Sequence, residues 1–403
     1  MPMKTKVSWS EFCQNISLIY LILWLVIPIM AYGVSYRLLA LAATIVWVMI
    51  EISKNNSVIS RPTTTTLGIL AYIGYVSFIT VFTVGISNLT IYIQVFILFV
   101  FYIMSESYNK SLKVSSHGII KLLLIVMPIS LSLAIVALVN NPRASRVLVR
   151  SSAEAVELSS TGAGGFSFAY FCVVYVAILM FLAVGFSGRW KILVFVNLIM
   201  TCIFIVMSQY STAIIIMFLA LVLSIMASLN KNLIISCCTI VIGICIILVV
   251  YSCRIQIIDF LHDLFTGLSN VQLKLMDMKY AIVTGESEGT VSDRTERYWR
   301  SLELFLNNPI FGSIERDDVG KHSFLLDTFA QYGVFIGLLV CYIIVKPISK
   351  VKVINSSERS FKYIIIFIAT CLFSLNNPAM SYGVAFFLLP TLAIHARRHF
   401  YEK

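Results

Sequence analysis

"HSFLLDTFAQYGVFIGLLVCYIIV", residues 322–345, decides the fold. From Phe324 onward its only charge is Asp327, and it is long enough for the roughly 20 apolar residues that carry a helix across a bilayer. What precedes it is polar, "GKHS", so His322 falls where a charged loop meets an apolar run.

Working outward, the same pattern recurs along the whole chain. Of 403 residues, 59% are hydrophobic and only 12% charged, with mean hydropathy +0.92, so the chain lacks the residues to build a soluble domain's polar shell. The reading is an all-α integral membrane protein of about twelve spans. The spans fall near 16–34, 37–52, 66–86, 88–105, 118–139, 164–186, 190–207, 210–229, 233–252, 324–345, 361–377 and 379–396. The first run is followed by "PIMAYGVSYR" rather than a soluble segment, which reads as a retained helix and not a cleaved signal peptide. The junctions near 87, 208 and 378 are the least distinct.

The formal net charge is +11, and its distribution points to topology rather than nucleic acid. Lys54 and Arg61, Lys110 to Lys121, Arg189 and Lys191, and the run from Lys346 to Lys362 fall on one side of the alternating spans. The positive-inside rule puts that side, and both termini, in the cytoplasm. The chain then divides into residues 1–252 with nine spans, a large outer loop at 253–323, and three further spans within 324–403. The nine cysteines sit in or beside apolar runs and make neither a disulfide framework nor metal-ligand spacing. No Gly-rich phosphate loop, Asp-x-Asp pair or His/Cys cluster is present, so the sequence offers no metal site.

Two outer segments break the run of short neutral turns. Residues 140–163 carry Arg143, Arg146 and Arg150, whose spacing predicts one face of a helix. Residues 253–323 carry eight Lys+Arg and eleven Asp+Glu. There Leu261, Leu264, Phe265 and Leu268 follow Ile257 at helical spacing and predict a short amphipathic helix on the membrane surface. "DRTERYWRSLELFLNNPIFG" predicts a second helix, opened by Asp293 and Glu296 as a capping box and stopped by Asn307, Asn308 and Pro309, with Gly312 turning the chain.

Arg294, Arg297 and Arg300 repeat the three-residue arginine spacing in this loop. Guanidinium groups bind phosphate oxygens bidentately and stay charged, so two such sets could grip a diphosphate; headgroup contact or pairing with Glu154, Glu157, Glu296 and Glu303 is the plainer reading. His322 is placed to take a proton from a hydroxyl at the membrane surface, although a lone interfacial histidine is more often structural. Gly333 and Gly337 lie on the same helix face and would open a groove beneath it for a helix or a lipid tail. Asp327, a turn and a half inward, is expected to neutralise a loop arginine. Glu51 and His395 are expected at the interface.

Residues 293–337 resemble the signature region of the O-antigen polymerase and O-antigen ligase superfamily. The resemblance rests on Arg294 followed by Tyr298 or Trp299, on the turn "NNPIFG" at 307–312, on His322-Ser323, and on Gly333 eleven residues beyond the histidine. It covers about 45 of 403 residues; elsewhere only the layout agrees. The chain departs from the family at "SQYSTAII", 208–215, which has no arginine, and no glycine stands eleven residues after Arg150 or Arg300.

The resemblance implies a lipid-dependent glycosyltransferase fold of the GT-C type in a bacterial inner membrane, with the large loop periplasmic. It implies an undecaprenyl-diphosphate-linked oligosaccharide as donor, a second lipid-linked unit as acceptor, no cofactor or metal, no nucleic acid, and a chain-length regulator protein as a further partner. In that reading His322 and Arg294 are catalytic. Arg143, Arg146, Arg150, Arg297, Arg300, Tyr298 and Asp327 bind diphosphate or glycan. Polymerisation is the leading activity; transfer of finished glycan to a lipid A core, or flipping of lipid-linked sugars without catalysis, are the alternatives.

Overall fold

A computed structural model describes residues 9–54, 62–83, 100–108, 115–148, 153–229, 252–267, 272–273, 275–276, 279–280, 283, 290–313, 319–376 and 384–401. Every regular element among them is helical. Seven of these helices are long and apolar enough to cross a membrane, which makes the chain an α-helical, multi-pass membrane protein.

The elements in order are α1 (Trp9–Val26), α2 (Pro28–Tyr32), α3 (Val34–Ile52), α4 (Thr64–Thr83), α5 (100–108), α6 (Ser115–Asn140), α7 (Ala144–Val147) and α8 (Ala153–Ser159). There follow α9 (Phe166–Gly185), α10 (Gly188–Met207), α11 (Ser211–Leu229), α12 (Arg254–Leu264), α13 (Thr290–Asn307), α14 (Phe324–Ser349), α15 (Ser356–Leu375) and α16 (Leu389–Tyr401), the last entered through a π-helical turn, Val384–Leu388. Eleven of the expected spans coincide, wholly or in part, with a described helix. The span expected at 233–252 and the first part of that at 88–105 lie outside the described residues. The indistinct junction near 208 is a genuine break, because Gln209 takes a left-handed φ of 58° between α10 and α11.

α9 is the hub. Phe168–Leu179 is buried without interruption, as expected of a helix apolar on every side. It packs against α10, α11, α15 and α16. Its direction is set by ring and hydrogen-bond contacts: Phe168 meets Phe204, and Tyr175 donates to Asn197 Oδ1, so α9 and α10 are antiparallel. Phe181 stacks on Phe361, so α9 and α15 are antiparallel too.

These directions sort the chain into two ends. One end is rich in cations: Lys121 over Trp190, Arg397 donating to Ser357, Arg398 paired with Glu358, and Lys350 paired with Glu106. Glu51 belongs here. It is buried, accepting from Gln14 Nε2 and pairing with Lys54, because a carboxylate that leaves water needs such partners. The opposite end carries α7, α8, α13 and the start of α14.

Candidate functional site

α13 begins at Thr290, so Asp293 stands inside the helix and the expected capping box is not its start. Its end agrees with expectation. Asn307 is the last helical residue, Pro309 has no N–H with which to continue, and Gly312 turns the chain at φ 73°.

The helix then does something the sequence did not announce: it runs alongside α14 in the same direction. The carbonyl of Arg297 lies against Gly320 so closely that a Cβ there would come within 2.1 Å of it. One turn on, the Ser301 hydroxyl donates to Asp327 Oδ1 at 2.6 Å and accepts from the Gly320 N–H at 2.9 Å. A turn further, Phe305 meets Phe329 edge-on at 5.4 Å. The turn after α13 then docks on Gly333.

Gly333 is where α14 breaks. Its φ of 77° and ψ of −177° are open to glycine but strained for other residues. The break frees backbone groups that the turn takes up: Val334 N–H donates to the Pro309 carbonyl (2.8 Å), and Ser313 N–H to that of Ala330 (2.8 Å). A Cβ on Gly333 would meet the Ile310 carbonyl oxygen at 2.0 Å. The groove expected at Gly333 is therefore filled, by the chain's own turn. The site at Gly337 is covered as well, by the Phe329 ring.

His322 sits half-buried on the three-residue turn between Gly320 and α14. Lys321 before it adopts a left-handed φ of 60°. Ser323 after it caps α14, its hydroxyl accepting from Leu326 N–H at 3.1 Å. The backbone amides of Ser323, Lys321 and His322 also face the Asp327 carboxylate. Asp327 Oδ1 thus holds Ser301 beside the histidine-bearing turn, while its Oδ2 is buried with no hydrogen-bond partner among the described residues. Two further bonds anchor this corner: Tyr298 donates to the Leu375 carbonyl (2.9 Å), and Phe324 N–H donates to that of Asn376 (3.0 Å).

Arg297 and Arg300 are exposed on α13. The backbone of Arg294 lies in the same helix. Of the arginines expected on one helical face, only Arg143 and Arg146 are among the described residues. α7 opens only after Pro142 and lasts one turn, with Arg143 at its N-cap and Arg146 inside it. Arg150 lies outside the described residues. Arg146 turns to the α10–α11 junction, donating to the Gln209 carbonyl with its guanidinium 5.6 Å from the Tyr210 ring centre. α7 packs on α6 and α8, whereas α13 packs on α14.

Ser301 is the residue that reading by type overlooks. The available signal was a hydroxyl placed between Tyr298, Leu304 and Phe305 on the buried face of α13, opposite a span that carries a carboxylate.

No family model, curated protein or solved structure matches the chain.

Proposed function

We propose that the chain is a glycosyltransferase that polymerises undecaprenyl-diphosphate-linked oligosaccharide units into an O-antigen or capsular-type polysaccharide. It would have twelve spans in a GT-C-type arrangement, lie in a bacterial inner membrane with both termini cytoplasmic, and work on the periplasmic face. The orientation is supported by the cations gathered at the end opposite α13, such as Lys121, Lys350 and Arg398.

One observation carries the reading. Ser301, Asp327 and Gly320 hydrogen-bond the arginine-bearing helix to the turn that presents His322. Separate parts of the resemblance, spread over one loop and one span within residues 293–337, thereby meet at one corner. A diphosphate leaving group and an attacking hydroxyl need such neighbouring partners, cationic for the first and basic for the second.

In the proposed step an acceptor sugar hydroxyl attacks the anomeric carbon of the donor. The new C–O glycosidic bond forms as the bond from that carbon to the diphosphate oxygen breaks. His322 takes the hydroxyl proton. Arg294, Arg297 and Arg300 hold the charge that stays on the lipid diphosphate, with Arg143, Arg146 and Arg150 as further candidates, while Tyr298 and Asp327 shape the corner. A chain-length regulator protein is the expected partner.

The test is to give membranes containing the protein only the lipid-linked repeat unit. A ladder of longer lipid-linked glycans supports polymerisation. Product only after a lipid A core acceptor is added indicates a ligase, and translocation without any new glycosidic bond indicates a flippase; either overturns the proposal.

A further inference from the structure

We infer that α13 and the turn after it form a re-entrant element, which enters the bilayer beside α14 and meets lipid acyl chains with Leu306, Ile310 and Phe311. This inference stands on the fold alone and holds whether or not the glycosyl-transfer reading does.

Depth is the first argument. α14 has 26 residues, about 39 Å at 1.5 Å per residue, whereas the hydrocarbon core is about 30 Å thick. Lys346 and the Lys350–Glu106 pair mark its far boundary. Counting back roughly 20 residues from Lys346 puts the near boundary at about Asp327. Gly333 then lies about 9 Å inside. The turn at 309–312 is hydrogen-bonded at that level, through Val334 to Pro309 and Ser313 to Ala330. The descent of α13 agrees: Ser301 is level with Asp327, and the six residues from there to Asn307 drop about 9 Å.

Exposure is the second argument. Leu306, Ile310 and Phe311 are 63%, 53% and 68% exposed, and so are two apolar residues on the same stretch of α14, Phe335 at 68% and Leu338 at 58%. In water such a tip would be costly; in hydrocarbon it is at home. Trp299 is exposed two turns above Leu306 on the same edge of α13, the level at which tryptophan collects between headgroups and chains. Arg300, Glu303 and Asn307 fall on a neighbouring edge, about 40° to 100° round the helix from Trp299, which leaves a polar side.

The backbone is the third argument. Irregular chain at membrane depth must satisfy its own polar groups. Here Asn308 N–H reaches the Leu304 carbonyl and Gly312 N–H that of Asn308, in addition to the two bonds with α14, and Pro309 has no N–H to satisfy.

The experiment uses the full chain in nanodiscs, with Phe311→Trp as the reporter and Glu296→Trp, higher on α13, as its counterpart. Emission added over the unsubstituted protein is compared in phosphatidylcholine with and without bromine at mid-chain, and with iodide in the water. Phe311→Trp is expected to lose most of its added emission to brominated lipid and little to iodide, with Glu296→Trp behaving in reverse. Quenching of Phe311→Trp by iodide would place the turn in water. Quenching by neither would place it against protein, a second copy included. Both outcomes overturn the inference. Leu306→Trp reads the same face should Phe311→Trp fail to accumulate.

Discussion

Ser301 and Asp327, on different helices, share a 2.6 Å hydrogen bond in which the serine donates to a buried carboxylate. The same hydroxyl accepts from Gly320 N–H, so one side chain ties α13, the His322 turn and α14 together. Ser301→Ala would strip a buried charge of a donor and a buried amide of its acceptor, a loss of about 2–3 kcal/mol. Thermal unfolding in detergent should register it as a lower midpoint, with Ser301→Thr closer to the parent because its hydroxyl remains. An unchanged midpoint in the alanine variant would show that this bond contributes nothing.

At the cation-rich end, Lys350 Nζ pairs with Glu106 at 2.9 Å, while Thr63 donates to the same carboxylate. Lys350→Met would leave a mostly buried carboxylate without its cation, costing about 3 kcal/mol. Adding Glu106→Gln to that variant should return part of the loss, since the uncompensated charge is then gone. A double-mutant cycle on unfolding midpoints measures the difference, and strict additivity would count against a coupled pair.

The membrane-spanning class was legible because a run of about 20 apolar residues has few other uses, and α14, α9 and α10 lie where their runs predicted. The end of α13 was legible for a similar reason: Asn307 and Pro309 act through local backbone chemistry alone. Its start was not, since the Asp293–Glu296 spacing fits a cap but is equally at home inside a helix. The arginine spacing at 143–150 describes a face only as far as a helix runs, and the described helix there, α7, is a single turn with Arg143 at its N-cap and Arg146 inside it. Ser301, and the docking of the turn on Gly333, depend on α13 running parallel to α14. That direction is set by tertiary contacts between segments far apart in sequence, which periodicity within one segment does not encode.

Gly333 and Gly337 look alike in sequence but differ in what they touch. Gly333→Ala would force a side chain into a left-handed φ and into the Ile310 carbonyl, which belongs to backbone held by hydrogen bonds. Gly337→Ala would meet the Phe329 ring, which can rotate aside, and Gly74→Ala has nothing within 4 Å. The expected order of damage is 333 first, then 337, with 74 near neutral; the first should exceed about 1 kcal/mol from backbone strain alone. The unfolding midpoint in detergent is the direct readout, with a larger drop in Gly333→Ala than in the other two.

Arg146 separates a structural role from phosphate binding. Its guanidinium reaches the Gln209 carbonyl and lies over Tyr210, bracing a residue with left-handed φ. Arg146→Lys keeps the charge but loses the planar fork, so it should lower the unfolding midpoint nearly as far as Arg146→Ala. A phosphate ligand would instead tolerate lysine better than alanine. Equal stability of all three chains, with graded loss of product, would instead support Arg146 as a diphosphate ligand.

His322 and the α13 arginines give the sharpest test of the proposed chemistry. His322 stands on a turn held by Ser323, Asp327 and Ser301 through backbone and hydroxyl contacts. His322→Ala should therefore abolish polymer while the protein still reaches the membrane and unfolds near the parent midpoint. Arg294→Ala should do the same, whereas Arg297→Lys, exposed and able to keep its charge, should retain part of the product. Gel separation of lipid-linked glycans, beside immunodetection of the membrane fraction, reads both quantities at once. Polymer of normal length from His322→Ala would remove the histidine from the reaction and leave the corner as a structural joint.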